Sequence, residues 1–212
     1  DQHIRKLIPA YELMHQQIQV LLQLHLKENA HILVIGCGTG HELIQLAKAF
    51  PKFKFTAIDV AQNMLEQAKK NVEAQHLQHQ MTFLHGDTSI LKQIDEKFDA
   101  ALSILVAHFV AKHQKLSFFN DIYQALKPNG LCINVDLMQF EQQDGAERLI
   151  QLAEHTGLHP KQTAQMRDKF DEDFALISIA EMQNIYHQLG VKRQEIFFQV
   201  FNYYGLMAYK SA

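Results

Sequence analysis

Apolar residues along this chain fall into two kinds of run that alternate. Short, nearly continuous runs lie at 32–35, 53–58, 81–84, 98–103 and 131–135. They are too brief for buried helices and read as strands covered on both faces. Between them, apolar positions recur at helical spacing: 43, 44, 46, 47 and 50 in one segment, Met64, Leu65, Ala68 and Val72 in 61–74, and a further segment at 113–126. Such alternation predicts βαβ units and a parallel α/β sheet wound on both faces. Lys127-Pro128-Asn129-Gly130 marks a turn before the fifth strand. A helix at 178–189 with Gly190 as its C-cap, then strands at about 192–200 and 203–210, close the chain as an antiparallel hairpin and bring the expected sheet to seven strands. Ahead of the first strand, Ile4, Leu7, Ile8, Leu13, Met14, Ile18, Leu21, Leu22 and Leu24 fit one or two amphipathic helices broken near Pro9. The alternation stops at 137–175, where a polar run (139–144), a helical stretch (146–155), Pro160 and a charged segment through Asp173 follow one another. An insertion of that length is expected to fold as a helical lid. The whole reads as a single domain over 1–212, with an N-terminal cap at 1–28 and the lid at 137–175.

The first strand runs into Gly36-Cys37-Gly38-Thr39-Gly40 and then into the helix starting at 41. Glycines let the backbone turn tightly and a ligand approach closely, and the N–H groups that open a helix favour an anion. A dinucleotide fingerprint would place its last glycine at 41, but that position is His41 and the third glycine is Gly40. Asp59, with Val60 beside it, ends the second strand and can accept both hydroxyls of a ribose. A Gly-x-Gly-x-Gly loop with a strand-end acid resembles the S-adenosylmethionine (SAM) site of class I methyltransferases; a tight strand-to-helix turn in another α/β fold is the alternative. On that resemblance Gly36, Cys37, Gly38, Gly40, Asp59 and Val60 are cofactor-binding. Asp87 ends the third strand, where a carboxylate can accept from the adenine amino group while the Thr88 N–H reaches a ring nitrogen. Asp87 also suits the N-cap of a short helix at 88–93, and the two readings are compatible.

The fourth strand ends at Ser103, beside the first strand at the switch point where such sheets bind ligands. Ser103, Ile104 and His108 are therefore expected near the methyl donor. Asp136 ends the fifth strand. A hydroxyl or acid acceptor would need a base, and His108 and Asp136 are the catalytic candidates; a structural histidine at 108 is the other reading.

Composition narrows the class further. The net charge of −3 gives no general attraction to nucleic acid or anionic membrane, and no apolar run approaches the roughly 20 residues that span a bilayer. No secretory leader is expected at the opening Asp-Gln-His, and the cysteine usage leads us to expect a cytoplasmic protein. Cys37 and Cys132 read as buried free thiols. Thirteen histidines form no metal-ligand spacing, His76 and His79 included, and no Gly-x-Ser-x-Gly elbow is present.

The chain as a whole resembles the class I SAM-dependent methyltransferase superfamily, with motif-level likeness over 31–136; this implies a Rossmann-like sheet, SAM as cofactor and a small-molecule acceptor. Its ends resemble a narrower group, the carboxy-SAM synthases, which convert SAM and prephenate to a carboxylated SAM. The residues are Ile8-Pro9-Ala10-Tyr11, Gln165-Met166-Arg167 and Phe197-Phe198-Gln199-Val200-Phe201-Asn202-Tyr203. The resemblance implies that Tyr11 and Arg167 face the cofactor, Arg167 binding a carboxylate for which its planar fork is suited. A lid arginine serving a neighbouring subunit would make the working unit a homodimer. The synthase group has a Gly-Cys-Ser loop and an Asn at the end of the fourth strand, where this chain has Gly36-Cys37-Gly38 and Ser103. Methyl transfer is thus the leading expectation. A SAM-modifying enzyme of the synthase kind and a non-catalytic SAM-binding protein are the alternatives.

Overall fold

The computed structural model describes residues 8–211. Its centre is a sheet of β1 (His31–Ile35), β2 (Lys54–Asp59), β3 (Met81–His85), β4 (Phe98–Ile104), β5 (Leu126–Leu137), β6 (Gln194–Val200) and β7 (Tyr203–Tyr209) in the order β3-β2-β1-β4-β5-β7-β6. Pairing is parallel from β3 through β5 and antiparallel where β7 meets β5 and β6. The expected seven-stranded sheet with a terminal hairpin is therefore present. Strand order reverses between β1 and β4, which opens a crevice at their carboxyl ends.

Seven α-helices flank the sheet among the described residues: α1 (Tyr11–His25), α2 (His41–Ala49), α3 (Gln62–Glu73), α4 (Lys115–Ala125), α5 (Gly145–His155), α6 (Pro160–Glu172) and α7 (Ile179–Gln188). Alternate strand residues feed two cores. Ile32 and Val34 pack with Met14 and Ile18 of α1, Leu43 of α2 and Leu65 of α3, while Leu149 of α5 and Met166 of α6 extend the same layer. Leu33 and Ile35 point to the other face, toward Phe118, Phe119 and Ile122 of α4 and Met182 and Tyr186 of α7. Both sets being apolar, β1 has no solvent face, as a central parallel strand requires.

Three details of the sequence reading take their form from local causes. Of the N-terminal cap, Ile4 and Leu7 lie outside the described residues; one helix, α1, begins just after Pro9, with Ala10 in the left-handed region at its N-cap. The Lys127–Gly130 turn does not precede β5 but is built into it. Phe98 pairs with Leu126 and Ala100 with Leu131, so the excess residues bulge, with Asn129 at φ 62° and its N–H donating to Lys210 O at 3.1 Å. Finally, the charged segment after 159 is a regular helix, α6. Pro160 stands in its first turn, and His159 and Gln162 form a reciprocal capping box.

Candidate active site

The glycine loop is fastened from below. The N–H groups of Gly36 and Cys37 both donate to Ile58 O, at 2.8 and 3.2 Å. Gly36 is at φ 67°, and a Cβ there would lie 2.4 Å from Val106 Cγ2; the loop can pass the end of β4 only without a side chain. A Cβ at Gly38 would meet nothing within 4 Å, so this is the open side of the loop. Asp59, only 9% exposed, accepts from Gly38 N–H through Oδ2 at 2.8 Å and from Ala61 N–H through Oδ1 at 2.9 Å. These bonds fix the carboxylate and leave each oxygen a further acceptor direction.

Around this centre lies a cleft of about 620 Å³ at the carboxyl edge of the sheet, lined by Gly36, Gly38, Asp59, Val60, Asp87 and Thr88 among the residues the sequence singled out. Val60 forms an exposed rim, whereas Thr88 is buried. Asp87 caps the short 3₁₀ helix Thr88–Gln93 by accepting from Ser89 N–H at 2.8 Å. The Ser89 hydroxyl and N–H hold the Asp87 carboxyl below its usual range. Val106 and Phe118 add apolar walls, and Lys92 pairs with Asp121 at 3.1 Å on the far side.

Four predicted cofactor residues stand back from this lining. Cys37 is buried, and burial, with the nearby Asp59 and Glu42 charges, pushes its thiol up to about 12, so it is no nucleophile. Gly40 caps α2 at φ 79° and lets the loop lie against Ala68 of α3, 3.1 Å from where a Cβ would be. Ser103 is buried within β4, in register with Asn134 of β5. Tyr11 faces the core with its ring 4.4 Å from that of His15.

A second, smaller cavity of about 210 Å³ adjoins the first and shares Leu105 and Phe109 with it. Leu105 is held at φ 60° immediately after β4, its N–H donating to Val135 O at 2.7 Å. A non-glycine residue in that conformation is strained, a state that persists at functional sites when the surroundings enforce it. His108 lines the cavity, and its Nδ1 donates to the buried Asp136. A carboxylate only accepts, so the hydrogen is on Nδ1 and Nε2 is the nitrogen left for a ligand. The Phe109 and Phe174 rings lie 4.2 and 4.5 Å from the imidazole. The fold thus unites the two catalytic candidates in one dyad. Arg167 is not part of either lining: it is half-exposed on α6 and bonded to Glu147 of α5. Hydrogen bonds from Arg167 and Gln151 hold the Glu147 carboxyl below its usual range.

Sequence reasoning passed over Lys115. Its side chain is 2% exposed, its Nζ donates to Ala107 O, and burial pulls its amine down against the opposing pull of Asp136. It braces the turn that carries His108. The run 113–126 shows it only as one polar helix residue, with no signal of burial. Leu105 and Phe109 also escaped notice, because an apolar residue that walls a cavity is spelled like one that fills a core, whereas Tyr203, the last residue of the C-terminal motif, does line the smaller cavity.

Residues 32–130 match the family model described as a methyltransferase domain. Among curated proteins, the carboxy-SAM synthase of Desulfotalea psychrophila is 26% identical over 99% of this chain and 87% of its own length. Among solved structures, a SAM-dependent methyltransferase from Aquifex aeolicus superposes with TM-score 0.65 at 21% identity, covering 96% of this chain and 94% of that one. Magnesium protoporphyrin IX methyltransferase from Synechocystis, solved with bound SAH, gives 0.68 at 16% identity over 95% and 84%. The switch-point cleft, the open glycine loop and the strand-end acid all lie within residues 32–130, the segment that matches the methyltransferase domain model, in a chain similar to class I SAM-dependent methyltransferases.

Proposed function

We propose that the chain binds SAM in the larger cleft and transfers its methyl group to a small molecule seated in the smaller one. The observation that carries this reading is the shared wall: two cavities meet at Leu105 and Phe109, with the His108–Asp136 dyad on one side and the glycine loop with Asp59 on the other.

The residues suit the cofactor. Open space over Gly38 admits close backbone approach, Asp59 is anchored with acceptor directions to spare for a diol, and Asp87 at the far end can take an amino group. When bound, SAM supplies a methyl group already activated on a cationic sulfonium. The protein's remaining tasks are alignment and exclusion of water. Phe109 and Phe174 keep the surroundings of His108 apolar. Asp136 fixes the imidazole's tautomer and orientation and offsets the charge that a proton on Nε2 would bring. We place the reaction in the cytoplasm, since it calls for no membrane; among the described residues no helix is long and apolar enough to cross one.

Calorimetric titration with SAM tests the assignment. Asp59→Ala is expected to weaken binding at least tenfold, in line with the roughly 1.5–3 kcal/mol of a hydrogen bond to a charged group. Unchanged affinity would contradict it. The second reading, a carboxy-SAM synthase-like activity, is favoured by the 26% identity that extends over nearly the whole chain. The placement of Arg167 on Glu147 gives it less support. Mass spectrometry of the nucleoside that leaves the purified protein separates the two: SAM or its demethylated product for methyl transfer, a carboxylated SAM for the alternative.

A further inference from the structure

The smaller cavity is sorted by chemistry. At about 210 Å³ it has room for one ring with short substituents. Phe109 and Phe174 stand edge to face with centroids 5.3 Å apart, and Phe170 lies 6.1 Å from Phe174. Aromatic walls of this kind reward a flat ring beyond its buried area. The sheet side offers His108 and Tyr203. Burial pushes the Tyr203 phenol up, so it keeps its proton and is not the base. Across the cavity, Gln162, Gln165 and Lys169 line it from α6 at helical spacing, one face of the lid. No Asp or Glu is among the lining residues, and Lys169 has no ionic partner among the described residues.

We infer that the methyl acceptor is a single-ring phenol bearing an anionic substituent, with its hydroxyl at His108 and its anion at Lys169; this rests on the methyl-transfer reading above. The apolar walls hold the ring. Lys169, the one Lys or Arg among the lining residues, selects against ammonium-bearing acceptors and favours a carboxylate. The base sets the nucleophile: a phenol, with a reference pKa of about 10 as in Tyr, lies within reach of an imidazole. An aliphatic alcohol is a much weaker acid. In the step, the phenol proton passes to His108 Nε2, giving an imidazolium against Asp136. The phenol oxygen bonds to the methyl carbon as the carbon–sulfur bond breaks, and that bond's electron pair stays on sulfur, leaving a neutral thioether.

The test separates binding from turnover. Hydroxybenzoates, phenol, benzoate and cyclohexanecarboxylate are titrated into the protein saturated with S-adenosylhomocysteine. A hydroxybenzoate is expected to bind at least tenfold more tightly than phenol and than cyclohexanecarboxylate. Lys169→Met should abolish its advantage over phenol while leaving the nucleoside's affinity unchanged, which also shows that the variant is folded. His108→Asn should retain hydroxybenzoate binding and lose about a hundredfold or more in its methylation. Nucleoside binding with no uptake of any hydroxybenzoate overturns the acceptor assignment and leaves methyl transfer standing. Equal binding of the cyclohexane acid removes the aromatic part. Failure to bind the nucleoside at all defeats the underlying reading instead.

Discussion

Two glycines of one loop, a single residue apart, answer to different demands, and substitution separates them. Gly36→Ala would drive a methyl group into Val106, whose branched side chain cannot swing away, at a backbone angle that already costs a Cβ about 1–2 kcal/mol. A loss of about 2–3 kcal/mol is expected in urea unfolding. Gly38→Ala meets no neighbour, so only the backbone cost remains. Its added methyl stands where a ligand approaches, and the expected signature is a fold close to intact with SAM affinity down tenfold or more by calorimetry. Spacing in the sequence identified both glycines as special without distinguishing their parts. The same holds for His108 and Asp136: each was legible as a polar residue at the end of a strand. That one bonds the other is a property of the parallel neighbours β4 and β5.

At the scale of elements, strands were the most legible part, because a buried strand must be apolar on both faces and a short apolar run can do little else. The lid was the least. Its second helix, α6, is mostly polar, and the features that make it a helix are the His159–Gln162 cap, Pro160 and two inward residues, Met166 and Phe170. Phe170 touches Phe140 and Phe174, with centroids 5.1 and 6.1 Å away, and so ties the lid to the smaller cavity. Phe170→Ala is expected to cost about 3 kcal/mol in that layer. Limited proteolysis should then cut within 137–175 well before the sheet melts. Cutting confined to the sheet's own loops would deny that α5 and α6 yield first.

For the molecule as a whole, the dependence of stability on pH carries the imprint of Glu42. Burial behind the glycine loop raises its carboxyl to about 8. In the folded state it therefore keeps its proton in a range where the unfolded chain has lost it. The unfolded state binds fewer protons there, and stability falls as pH rises from the ordinary glutamate range through about 8. Urea midpoints of the wild type should decline across that window, and Glu42→Gln should flatten the decline; parallel curves for the two proteins would refute it.

By itself the sequence determined the alternation of strands and helices, the turn chemistry of the loop at 36–40 and the acids that end β2 and β3. Each depends on a few neighbouring residues whose period, size or backbone freedom is written locally. Only the tertiary structure decided that Cys37 and Gly40 stand behind the cleft, that Arg167 turns outward to Glu147, that Lys115 is buried beneath the His108 turn, and that Leu105 and Phe109 divide two cavities. Those outcomes depend on which side chains from distant parts of the chain occupy the same space, and close packing settles that between elements, not within them.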